Sequence, residues 1–100
     1  IVIARGDLGN VMPLSELPKV QAYIAKVCKE HNKNFMVVTQ MLDSMIRNPY
    51  PTRAEVNDIY HAVHQGANAL MLTGETAHGR YPIEAMKMLV ETANGSLEEL

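Results

Sequence analysis

Three short apolar runs, each followed by polar or glycine-rich residues and then by a helical repeat, organise the 100-residue chain. Ile1-Val2-Ile3-Ala4 stops at Arg5-Gly6-Asp7, Phe35-Met36-Val37-Val38 stops at Thr39-Gln40, and Ala69-Leu70-Met71-Leu72 stops at Thr73-Gly74-Glu75. None alternates in the manner of a strand with one wet face, so each is expected to be a strand covered on both sides.

The segments between them read as loops and helices. A loop is expected from Arg5 to Pro13. Val20, Tyr23, Ile24, Val27 and Cys28 then recur at helical spacing, predicting an amphipathic helix over residues 15–32 with Lys29, His31 and Lys33 at its negative end. Residues 41–48 suit a short helix ended by Pro49 and Pro51. Thr52-Arg53-Ala54-Glu55 has the form of a capping box and opens a helix through Val56, Ile59, Tyr60 and Val63, with Gly66 as its stop. Pro82 suits a first helical turn, followed by Ile83, Met86, Leu89, Val90 and Ala93. The repeat fades beyond Ala93, leaving residues 94–100 unassigned.

Strand, loop and helix repeated three times, with strands that read as fully buried, is the pattern of parallel βα units. Parallel α/β folds place their sites at the carboxyl ends of the strands, where Arg5 to Asp7, Thr39 to Gln40 and Thr73 to Glu75 all fall. A closed (β/α)8 barrel takes roughly 250 residues, so three units amount to about two fifths of one. The chain also opens inside an apolar strand pattern without an initiator Met. It is expected to be a piece of a longer protein.

Composition narrows the functional classes. A hydrophobic fraction of 47% with 20% charged residues is that of a soluble globular chain. Net charge is -2 and the nine Lys and Arg are scattered, which argues against nucleic acid as a partner. No apolar run reaches the ~18 residues of a membrane span and no signal-peptide pattern opens the chain, so a cytoplasmic, membrane-free location is expected. Cys28 is the sole cysteine and sits in a helical pattern, which fits a small core residue in a reducing compartment. The methionines at 36, 41, 45, 71, 86 and 88 read as core filling.

Gly6 and Gly9 around Asp7 would let backbone approach an anion closely, with one hard carboxylate beside it for a divalent cation. On the residues alone, the turn-forming habit of Asp outweighs that reading. Arg5-Gly6-Asp7 also spells an adhesion tripeptide, a chance match in a chain without secretory features. Thr39 could present its hydroxyl to a site or to its own backbone. Gln40 and Glu75 face the same choice between ligand contact and loop bonding. His61 and His64 stand three apart on one helix with no third metal ligand spaced to join them, which favours a solvated face.

Three blocks then carry a resemblance. Ala4-Arg5-Gly6-Asp7-Leu8-Gly9, Thr39-Gln40-Met41-Leu42-Asp43-Ser44-Met45 continuing to Pro51-Thr52-Arg53-Ala54-Glu55, and Thr73-Gly74-Glu75-Thr76-Ala77-His78-Gly79 with Tyr81-Pro82 resemble, in order and spacing, the pyruvate kinase family. The resemblance spans nearly the whole chain. It implies one partial catalytic domain over residues 1–100, the sixth to eighth βα units of a parallel (β/α)8 TIM barrel.

By resemblance, Asp7 is a ligand of the essential Mg²⁺ or Mn²⁺, the amides of Gly6 and Asp7 hold the phosphoenolpyruvate carboxylate, and Thr39 contacts the same substrate. Thr73 stands where the family usually has Ser, at a strand end associated with the proton-delivering water network. It keeps the hydroxyl and adds a methyl. Asn10 and Tyr50 also depart from the usual pattern. The implied reaction moves a phosphoryl group from phosphoenolpyruvate to ADP, giving an enolate that is protonated to pyruvate. The helix bearing Arg53 and Glu55 resembles part of a subunit contact and implies a homotetramer. The family's catalytic Lys, second metal carboxylate, substrate Arg and K⁺ ligands lie upstream of Ile1, so the fragment alone is expected to be inactive. Another phosphoenolpyruvate-using (β/α)8 enzyme, or a non-catalytic binding fragment, are the competing readings.

Overall fold

Three strands, β1 (Val2–Ala4), β2 (Met36–Val38) and β3 (Ala69–Met71), form a parallel sheet in the order β1-β2-β3. The computed structural model that defines this arrangement describes residues 1–98. Register is pinned at the amino edge by three hydrogen bonds. Met36 N–H donates to the Ile1 carbonyl at 2.8 Å, Asn68 N–H to the Phe35 carbonyl at 2.9 Å, and Phe35 N–H to Asn68 Oδ1 at 3.0 Å.

Helices α2 (Leu17–Glu30), α3 (Arg53–His64) and α5 (Pro82–Glu98) connect and cover the strands. Their buried positions, Ala25 and Cys28 of α2, Ile59 and Ala62 of α3, Ala85 and Leu89 of α5, join Ile3 and Val37 in one core. Phe35, 2% exposed, is the largest fully buried side chain in it. Burial of such a side chain contributes about 1.5–3 kcal/mol, which is what holds helices of this length in place.

The helices cover only one face of the sheet, and here the strands depart from expectation. Ile3, Val37 and Leu70 are register partners facing the helices. On the other face Val2 is 55% and Met71 41% exposed. The apolar runs are non-alternating, yet only half of each outer strand finds cover among the described residues. Met71 and Met86 are likewise exposed rather than core filling, as are Tyr23, Ile83 and Val90, whereas Met41, Met45 and Cys28 are buried.

Helix ends follow the sequence closely. Thr52 and Glu55 form the expected capping box at the start of α3. At its end Gly66 has φ +93°, its N–H donating to Val63 O and that of Ala67 to Ala62 O, a Schellman closure. Asn32, at φ +53°, closes α2 in the same way. Residues 41–48 contain a 3-10 turn, Asp43–Ile46, in place of an α-helix. The unassigned tail continues α5 to Glu98, and Glu99 and Leu100 lie outside the described residues.

The principal correction concerns the expected loop after β1. The chain enters a helix at once, α1 (Arg5–Val11), followed by a 3-10 turn at Leu14–Glu16. Two glycines cost a helix about 1 kcal/mol each relative to alanine. A tertiary contact offsets this: Thr39, beyond β2, accepts a hydrogen bond from the Gly6 N–H at 2.8 Å, while Leu8 packs on the core.

Candidate phosphate and metal site at the carboxyl edge

The carboxyl ends of the three strands are register partners, Ala4 with Val38 and Val38 with Met71, so the residues that follow them share one edge. Two of the expected site residues touch directly, through the bond from Gly6 N–H to Thr39 Oγ1. Asp7 lies one residue on, exposed, in the first turn of α1. Its carboxylate makes no hydrogen bond or ion pair among the described residues. The helix dipole favours an anion there.

Thr39 and Gln40 both have positive φ, +72° and +56°. For a β-branched residue this is an outlier, costing about 1–3 kcal/mol, and such strain concentrates at functional sites. The same turn aims the Thr39 hydroxyl at the first turn of α1. The Thr39 hydroxyl thus meets the backbone of Gly6 across the sheet edge and not its own backbone.

Glycine at position 6 is not demanded by the fold. Its φ is not positive, and a Cβ added there would meet Thr39 Oγ1 at 3.5 Å, an ordinary contact. Gly79, by contrast, has no room, since a Cβ would come within 2.5 Å of the Glu75 carbonyl oxygen. Position 6 thus has room for a methyl group beside the Thr39 side chain, while its N–H is engaged by Thr39 Oγ1.

Arg5 is turned inward. Its Nη1 pairs with Asp58 Oδ1 of α3 at 2.6 Å, its Nη2 donates to the Thr39 carbonyl at 2.7 Å, and its Nε reaches the Val38 carbonyl at 3.4 Å. An arginine engaged in this way is not displayed as an adhesion tripeptide requires.

Glu75 was open between ligand contact and loop bonding, and loop bonding holds it. Only 1% exposed, it accepts from Leu42 N–H at 2.9 Å and from Thr73 N–H at 3.0 Å. Thr73 caps the short helix α4 (Gly74–Ala77) with its backbone, and its hydroxyl stands 3.5 Å from Glu75 Oε1. Thr73 is thus tied to the loop after β2 through Glu75. A direct contact with Gly6, Asp7 or Thr39 is not made.

A second network braces the start of α3. Glu55 accepts from the Ser44 N–H at 2.8 Å and the Ser44 hydroxyl at 2.5 Å, and from Thr52 N–H at 2.8 Å. Partial burial pushes its carboxyl upward, but these hydrogen bonds to the charged form outweigh it and hold the group below its ordinary value. His61 and His64 are exposed, His64 stacking on Tyr60 at 4.1 Å. No group of three or more His, Cys, Asp or Glu able to hold a metal occurs among the described residues. Asp7 fits a hard cation as a single oxygen ligand, a contribution in keeping with Mg²⁺, which commonly takes one or two carboxylates together with substrate phosphates.

Sequence reading alone missed the anchoring role of Arg5. The available signal was its place immediately after a strand, directly before the candidate ligand.

The family profile described as pyruvate kinase, barrel domain, matches residues 1–86. A pyruvate kinase of Thermotoga maritima is 51% identical over 100% of this chain and 22% of its own length. A pyruvate kinase of Chlamydia muridarum is 54% identical over 89% of this chain and 18% of its own. Pyruvate kinase isozyme G, chloroplastic, of Nicotiana tabacum is 52% identical over 88% of this chain and 16% of its own. The chain spans roughly a fifth of the length of these relatives.

Proposed function

This chain belongs to the pyruvate kinase barrel-domain family, and from that premise we propose that residues 1–100 supply the sixth to eighth βα units of a (β/α)8 barrel catalysing phosphoryl transfer from phosphoenolpyruvate to ADP. The observation that carries the reading is the Gly6–Thr39 hydrogen bond. It joins two of the three sequence blocks at one sheet edge, beside a carboxylate without a partner among the described residues. The second face of the sheet, exposed at Val2 and Met71, supports the barrel, being the face that five further strands would enclose.

In this reading the Asp7 carboxylate is one ligand of Mg²⁺ or Mn²⁺. The bound cation supplies neutralisation of the charge that builds on the transferring phosphoryl oxygens. The amides of Gly6 and Asp7 receive the substrate carboxylate, the Gly6 N–H sharing or giving up its bond to Thr39 Oγ1, and the Thr39 hydroxyl bonds the same substrate. The P–O bond to the enol oxygen breaks as a new one forms to the terminal phosphate of ADP. The enolate left behind is protonated at its methylene carbon from water, with the Thr73 hydroxyl, held beside Glu75 at the same sheet edge, as the proposed relay. Fixed donors and charge suffice for such chemistry, and a protein nucleophile is not needed.

The remaining ligands, including those for K⁺, belong to parts of the enzyme outside this chain, so the fragment alone is inactive. The full enzyme is proposed to be a homotetramer contacting its neighbours partly through α3. No helix among the described residues is long and apolar enough to cross a membrane. A cytoplasmic location is our proposal, although relatives named chloroplastic exist.

The test is ATP formation from phosphoenolpyruvate and ADP by the full-length protein, with and without Mg²⁺. Metal-dependent turnover supports the reading. A full-length product that neither turns over nor binds phosphoenolpyruvate leaves the non-catalytic alternative, and turnover of phosphoenolpyruvate without ATP formation leaves another enzyme of the same architecture.

A further inference from the structure

The inward contacts of Arg5 converge on one point. Nη2 donates to the Thr39 carbonyl at 2.7 Å and lies 3.1 Å from Met41 Sδ, Nε reaches the Val38 carbonyl at 3.4 Å, and Nη1 pairs with Asp58 at 2.6 Å. The Arg5 side chain is 11% exposed and that of Asp58 28%. A guanidinium presents its donors in a rigid fork, which an ammonium on a flexible stem does not reproduce. Two prongs of that fork hold the last carbonyl of β2 and the one after it, and the third is fixed to α3. Between these fixed points the chain adopts the left-handed conformation at Thr39 and Gln40 that its side chains disfavour. Strained backbone of this kind persists only where its surroundings over-determine it.

We infer that Arg5 is a positioning residue. Anchored by Asp58, it holds the Thr39 backbone left-handed, and thereby fixes where the Thr39 hydroxyl and the Gly6 N–H stand for the substrate. The inference rests on the reading of Thr39 and Gly6 as substrate contacts. It gives Arg5 a role distinct from binding: its guanidinium is consumed by carbonyls and a carboxylate and acts on the substrate only through Thr39.

A double-mutant cycle in the full-length enzyme tests this, with KM for phosphoenolpyruvate, kcat and thermal inactivation read for each variant. Arg5→Lys keeps the charge but cannot bridge the two carbonyls, and is expected to raise KM for phosphoenolpyruvate about tenfold or more, as loss of an orienting partner typically does. Asp58→Asn keeps the shape and an acceptor oxygen, and is expected to raise it less, providing a readable variant if Arg5→Lys does not fold. In a Thr39→Val background either change is expected to add less than about twofold, because the group they position is gone. Full additivity, or wild-type KM in both Arg5→Lys and Asp58→Asn, would overturn the role of Arg5 alone. Wild-type kinetics in Thr39→Val would instead remove Thr39 from the site, and with it the reading on which this inference rests.

Discussion

Gly6 and Thr39 lie 33 residues apart, and the backbone N–H of the first donates to the hydroxyl of the second at 2.8 Å. A residue that ends one strand thus caps the helix that follows its neighbour. The contact makes Thr39 both a structural cap and a candidate substrate ligand, so the two roles must be separated experimentally. Thr39→Ser keeps the hydroxyl and should stay close to wild type in stability and turnover. Thr39→Val leaves the Gly6 N–H without its acceptor and should lower stability by about 1 kcal/mol, the usual loss on removing a cap, in addition to reducing turnover or substrate affinity.

Gly6→Ala should dissociate stability from function. The added Cβ makes only an ordinary contact, 3.5 Å from Thr39 Oγ1, and alanine favours the helix over glycine by about 1 kcal/mol. Thermal stability should be equal or higher, while the KM for phosphoenolpyruvate rises because the methyl occupies the surface offered to the substrate carboxylate. Unchanged KM would assign Gly6 to the fold.

Glu75→Ala should be severely destabilising. The carboxylate is 1% exposed and accepts from two backbone N–H groups, of Leu42 and Thr73. Each donor left unsatisfied costs about 1–3 kcal/mol. A fall of several degrees in the thermal inactivation temperature is expected, with Glu75→Gln intermediate because its single carbonyl oxygen can replace only part of the pair. A wild-type inactivation temperature for Glu75→Ala would contradict this account.

Glu55 gives a pH dependence whose sign follows from its hydrogen bonds. Its folded carboxyl titrates below the ordinary value of 4.5, so folding favours the ionised form. The resulting stabilisation is complete above that value and fades as pH falls through it toward the lower folded value. Wild type should therefore exceed Glu55→Gln in thermal stability at neutral pH, with the gap closing as pH falls below the ordinary carboxyl value toward the lower folded one. A gap independent of pH would show that the Ser44 and Thr52 bonds do not depend on the charge.

The isolated 100-residue chain should be unstable or aggregate. β1 and β3 each leave one edge unpaired among the described residues, and the sheet is exposed at the apolar Val2 and Met71. Size-exclusion chromatography with thermal unfolding decides this, a cooperative monomeric transition being the contrary result.

Local patterns in the sequence account for the elements whose causes are local. The capping box at Thr52 and Glu55, the Gly66 stop and the apolar repeats of α2, α3 and α5 follow from interactions within a few residues. The strand runs carry the parallel sheet, because their carboxyl ends meet polar residues at matched spacing. Helix α1 stayed hidden because its cap is supplied by Thr39, and local propensity around Gly6 and Gly9 argues for a loop. The exposed sheet face was hidden for another reason: a non-alternating strand reads as covered on both sides whether or not the covering segment is part of the chain. At the site, the positions of Gly6, Asp7, Thr39 and Thr73 at one edge were legible from strand ends alone. The Arg5 fork and the left-handed turn at Thr39 were not, since both depend on carbonyl directions that no pattern of side chains encodes.

Asp7 is the proposed metal ligand on which the site depends, and the Mg²⁺ dependence of the full-length Asp7→Ala enzyme tests that most directly. Asp7 is exposed and makes no hydrogen bond or ion pair among the described residues, so its loss should leave thermal stability nearly unchanged. The Mg²⁺ concentration for half-maximal phosphoryl transfer should rise by about 10- to 100-fold or more. An Asp7→Ala enzyme with the metal dependence of wild type would contradict the account.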